Sequence, residues 1–181
     1  MSYRTIVSFS ALMLSLLAPA PSRAQDAPGC GPESIKFNVK TARQRPAMPA
    51  ADSSKALVFF LQDDVKFDSR PRPTTEFGVD GNWVGATQSN SYFFVSVDPG
   101  EHHLCAHWQN RVTIGPVPLR PTAALHFTAE PGKAYYFRAK DFGRTGVSTS
   151  PIAEVTLEAM DSDEAQVLMS SFEYSTSAPK K

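Results

Sequence analysis

Apolar residues fall along this chain in short bursts separated by proline and glycine, and the spacing inside the bursts is mostly two. Residues 34–40 (SIKFNVK) alternate, with Ile35, Phe37 and Val39 on one face and Ser34, Lys36 and Asn38 on the other, the pattern of a half-exposed strand. Residues 55–62 (KALVFFLQ) are almost continuously apolar and predict a central strand covered on both faces. Residues 76–79 and 82–86 flank Asp80-Gly81, a dipeptide that accepts positive φ, and predict a tight hairpin. A second hairpin is predicted for 92–97 and 101–108 about Asp98-Pro99-Gly100, and a third for 123–129 and 133–140 about Glu130-Pro131-Gly132. Residues 152–160 (IAEVTLEAM) are the last predicted strand. One segment alone has helical character. It opens at Asp161, an N-cap residue with Glu164 at the capping-box spacing, and runs to about Ser171.

Short strands, nearly all linkable antiparallel, predict an all-β protein: an antiparallel β-sandwich of about 7–8 strands with a short C-terminal helix. The domain is expected over residues 33–174, after an N-terminal tail at 25–32 and before a disordered tail at 175–181. The Pro/Ala/Ser stretch 43–54, the polar stretch 63–75 and residues 111–121 are expected as surface loops.

The runs Val79-Asp80-Gly81 with Val84-Gly85, Ser91-Tyr92-Phe93, Pro99-Gly100-Glu101-His102 and Pro131-Gly132-Lys133 with Tyr135-Tyr136 resemble a family of secreted bacterial domains of unknown function. The first half is also similar to PEGA-type β-domains of bacterial surface proteins. The resemblance covers Lys55 to about Leu157 and rests mostly on turn residues. It implies a prealbumin-like sandwich and carries over no catalytic residue.

The amino-terminal residues have the layout of an export leader. Arg4 precedes an apolar run at 6–17, and small residues follow to Ala24, after which cleavage is expected, so that residues 1–24 form a signal peptide. The run is shorter than the roughly 20 residues that span a bilayer, and no second run is longer. Gly29-Cys30 raises lipid attachment at Cys30 as a rival, but Cys30 lies well beyond the apolar run, behind Asp26 and three prolines. The expected location is periplasmic or secreted. Cleavage takes Arg4 and Arg23 from 18 basic residues and leaves all 18 acidic ones, a formal charge near −2 that gives nucleic acid no electrostatic reason to bind.

His103, Cys105 and His107 carry the sharpest candidate chemistry. Alternate strand residues share a face, and imidazole and thiolate are preferred ligands of zinc and copper. His102 belongs to the other face, and His126 is a lone strand histidine that could join the set. Against a metal site stands cysteine arithmetic. Cys30 and Cys105 are the two cysteines of a chain bound for an oxidising compartment, so a Cys30–Cys105 disulfide is expected, with a free thiol or a metal site as alternatives. Asp63, Asp64 and Asp68 lack the glycine-centred calcium-loop spacing and are expected as solvated acids. Trp83, Arg70, Arg72 and Arg111 are candidate interface anchors. No Gly-x-Ser-x-Gly elbow, His-Glu-x-x-His helix or phosphate-binding glycine loop occurs. The expected function is that of an exported, non-enzymatic envelope protein without a cofactor, its partner a protein or glycan of the envelope. The alternative is a metal-binding protein or metalloenzyme using His103, Cys105 and His107.

Overall fold

The computed structural model describes residues 30–47, 52–64, 72–114, 117–144 and 152–181. The expected leader and its cleavage point, Asp68 and Arg70 lie outside these residues. The elements are β1 (Phe37–Ala42), β2 (Ala56–Asp63), β3 (Thr74–Val79), β4 (Asn82–Gln88), β5 (Ser91–Val97), β6 (Gly100–Trp108), β7 (Val112–Ile114), β8 (Val117–Leu119), β9 (Thr122–Ala129), β10 (Ala134–Arg144), β11 (Ile152–Met160), α1 (Ser162–Ser171) and β12 (Glu173–Pro179). They form a six-stranded sheet ordered β1-β12-β5-β2-β10-β11, a four-stranded sheet ordered β4-β3-β6-β9, and a β7–β8 ribbon. Most neighbours are antiparallel; β2–β10 and β5–β12 are parallel. This is an all-β sandwich with a helix near its C-terminus.

Side-chain parity builds the core. Val58 and Phe60 of β2, Phe93 of β5 and Phe137 of β10 face Phe77 of β3 and Leu104, Ala106 and Trp108 of β6, all buried. The Phe60 ring lies 4.9 Å from Phe77 and 5.4 Å from Phe93, centroid to centroid. Phe59 and Leu61 point the other way, under α1, with Tyr92, Met169 and Phe172. Strand β2 is therefore covered on both faces, which is why its sequence is apolar without alternation.

The turns follow their chemistry. Asp80 and Gly81 have φ of 50° and 79°, the left-handed pair that a two-residue hairpin requires. Asp161 caps α1 by accepting from the Glu164 N–H at 2.8 Å. The Glu164 carboxylate completes no reciprocal bond; it pairs with Arg138 at 2.8 Å.

Three expectations are corrected. Residues 175–181 are not a disordered tail, because most of them belong to β12, which pairs with β1 from Glu173's neighbour Tyr174 to Pro179. Its hydroxyls do what apolar alternation does elsewhere: the Ser175 Oγ donates to the Ala86 carbonyl at 2.9 Å, and the Ser177 Oγ accepts from the Ala86 N–H at 3.0 Å. These bonds satisfy the open edge of β4 and stitch the two sheets together. Residues 111–121 include the β7–β8 ribbon. Asp64, expected in solvent, is fully buried.

Candidate functional site

His103, Cys105 and His107 share the outer face of β6, but they form no ligand set. Cys105 is bonded to Cys30, with Cα atoms 5.0 Å apart, so its sulfur cannot act as a thiolate. His103 is exposed, His107 is buried, and the disulfide stands between them. No three His, Cys, Asp or Glu side chains among the described residues are placed to hold a metal ion.

The disulfide starts a strap, residues 30–36, laid over this face. The Trp83 indole N–H donates to the Pro32 carbonyl at 2.9 Å. Glu33 takes Arg120 at 3.2 Å and Arg111 at 3.7 Å, and the Lys36 ammonium donates to the Gln109 carbonyl at 2.7 Å. Trp83 and Arg111, read as interface anchors, thus contact this chain's own strap. Beneath it, Glu76 of β3 and His107 of β6 are cross-strand partners. Burial pushes the Glu76 carboxyl up to about 7, against the pull of Lys36 and Arg120. Burial, with Arg120 and Lys36 adding to it, pushes the His107 imidazole down to about 4. His107 Nδ1 meets the Thr122 hydroxyl at 2.8 Å; its Nε2 and both Glu76 carboxylate oxygens have no partner among the described residues. An acid titrating near neutrality beside a neutral imidazole could exchange protons, but both are sealed from solvent.

A second polar cluster closes one end of the core. The register that places Phe60, Phe77 and Phe137 inside carries Gln62 and Thr75 inside one pleat further on, and Asp141 two pleats on, past Ala139. Asp141 accepts from the Trp108 indole at 2.7 Å, the Gln62 amide at 2.7 Å and the Thr75 hydroxyl at 3.0 Å. The same Gln62 amide donates to Asp64 at 2.8 Å, and Arg72 stands 3.3 Å from that carboxylate. Burial, with the Asp64 carboxylate nearby, pushes the Asp141 carboxyl up to about 8, although the Trp108 N–H favours its charged form. Arg72 is therefore the counter-ion of a buried acid.

Open space lies on the opposite face of the sandwich. A groove of about 420 Å³ is lined by Tyr92 of β5, Tyr136 of β10, Gln166 and Met169 of α1, and Arg45 and Pro46 after β1. The Arg45 guanidinium is steadied by one bond to the Ser170 carbonyl at 2.6 Å. Partial burial raises both tyrosine hydroxyls above their ordinary value. Sequence reading missed this site because four separated segments build it. The one local signal is Tyr135-Tyr136, which strand parity splits between the two faces.

No protein-family model, curated protein or solved structure matches the chain.

Proposed function

We propose that the protein is an exported, non-enzymatic binding component of the cell envelope that takes a saccharide chain in the groove between β5, β10 and α1. The groove's lining carries the reading. Its volume falls within the roughly 300–1,000 Å³ of small-ligand sites. Tyrosine offers an apolar face for the C–H side of a sugar ring and a polar tip for its hydroxyls. Arg45 and Gln166 add planar donors suited to hydroxyl or carboxylate oxygens.

Support for a non-enzymatic role comes from where the shifted acids and base sit. Glu76, His107 and Asp141 are all buried away from the groove, and the groove's tyrosine hydroxyls are made less acidic, so they are poor proton acceptors at neutral pH. Support for export comes from the disulfide, which persists in oxidising compartments, together with the leader-like first 24 residues. Among the described residues no helix is long and apolar enough to cross a membrane. Cosedimentation with purified cell-wall glycan tests the reading. Wild-type protein is expected in the pellet, Arg45→Glu in the supernatant at unchanged melting temperature, and Tyr136→Ala in the supernatant with a lowered melting temperature, because its ring also stacks on Phe59 at 4.8 Å. Substrate turnover that depends on these two residues would overturn the non-enzymatic assignment.

A further inference from the structure

The chain has four histidines, and the structure divides them two and two. His102 commits both ring nitrogens, Nδ1 to Asp80 at 2.6 Å and Nε2 to the Asp98 carbonyl at 2.7 Å. His107 is buried with Nδ1 on Thr122. His103 and His126 are exposed, and neither imidazole is hydrogen-bonded to a described residue. These two open imidazoles are direct partners across β6 and β9, with ring centroids 6.4 Å apart.

The backbone shows which kind of partners they are. The His103 N–H donates to the Asp80 carboxylate at 2.8 Å, and the His103 carbonyl accepts from the Asp80 N–H at 2.9 Å. Both polar backbone atoms of His103 therefore point toward β3. On the β9 side the pair is of the non-hydrogen-bonded type, the narrow one, in which Cα atoms stand about 4.5 Å apart and side chains come closest.

We propose that His103 and His126 form a two-imidazole site for a borderline transition-metal ion, copper(II) above the others. Imidazole suits copper, nickel and zinc, and among divalent ions of this row copper(II) binds such donors most tightly. A metal–nitrogen bond of about 2.0–2.1 Å sets each ring centroid roughly 3 Å from the ion, so closing the observed gap by about 1–2 Å brings both nitrogens onto one ion. Rotation of two exposed side chains supplies that movement, and β6 holds its place because the next residue on this face, Cys105, is in the disulfide. Each imidazole gives one nitrogen lone pair and displaces one water from the hydrated ion, with no change of oxidation state. Glu101 and Thr128, the next pair along the same face, are exposed as well, and water completes the coordination. The site lies on the face opposite the groove and does not depend on the saccharide reading.

Titration of the disulfide-bonded chain with copper(II), followed by electron paramagnetic resonance, tests the proposal. One equivalent is expected to bind with hyperfine structure from two imidazole nitrogens. His103→Ala and His126→Ala are each expected to weaken binding at least about tenfold and leave a single imidazole nitrogen, at unchanged melting temperature. Absence of stoichiometric binding overturns the site. So does binding that survives both substitutions, as copper held at the amino terminus would.

Discussion

The Trp83 indole stacks on the His107 imidazole, ring centroids 5.6 Å apart, and the backbone of Gly31 closes on the indole from the strap. A Cβ at Gly31 would lie 2.7 Å from Trp83 Cγ and Nε1. Glycine is required here for close approach, since the indole cannot retreat without leaving His107. Gly31→Ala is expected to cost about 1–3 kcal/mol, as overpacking does, read as a lower denaturation midpoint. Faster amide exchange over residues 30–36 would show that the strap has lifted.

The disulfide closes a loop of 75 residues in sequence separation. Cys105→Ser is expected to remove about 2–4 kcal/mol of stability, measured by urea unfolding without reductant. Ligand binding in the groove should persist, because the strap and the groove lie on opposite faces. Loss of groove binding in a variant that remains folded would contradict that separation.

Stability is expected to fall as pH rises from the ordinary carboxyl range to about 8. Glu76 and Asp141 titrate at about 7 and about 8 in the folded chain, against about 4 for an ordinary carboxyl. Between those limits the folded state holds protons that the unfolded state has released, so each group's contribution is lost as pH rises through its folded value. His107 has the opposite sign. Its folded value of about 4 makes stability rise with pH up to about 6.5, offsetting one acid below that point. His102 acts with the acids: burial opposes its charge, but the Asp98 carbonyl and Asp80 carboxylate outweigh burial and raise it. The steepest fall in melting temperature is therefore expected between about pH 6.5 and 8. Glu76→Gln should flatten it without losing a hydrogen bond, since neither Glu76 oxygen has a partner among the described residues. An unchanged slope in that variant would assign the fall elsewhere.

Much of this architecture is legible in local sequence. The unbroken apolar run of β2, the Asp80-Gly81 and Asp98-Pro99-Gly100 turns and the Asp161 cap each express a local rule, and the structure keeps all four. What escaped sequence reading depends on distant partners. Glu76 precedes Phe77 and by parity faces outward, yet it is fully buried, with Lys36, Arg120 and Lys180 from distant parts of the chain close enough to act on its charge. Gln62 and Asp141 look like polar strand ends, and their burial follows from two sheets packing at one register. Strand β12 carries hydroxyls where a strand with one buried face usually alternates with apolar residues, and their value appears only beside the open backbone of Ala86 on the edge strand β4. The groove has no sequence signature at all, because the post-β1 segment, β5, β10 and α1 each supply one wall.

Saccharide binding in that groove is tested most directly by nuclear magnetic resonance on the isotope-labelled chain, titrated with soluble fragments of cell-wall glycan. Saturable shifts are expected at Arg45, Tyr92, Tyr136 and Gln166, with Glu76, His107 and the strap unmoved. Shifts confined to the four-stranded face, or none at saturating glycan, would contradict the account.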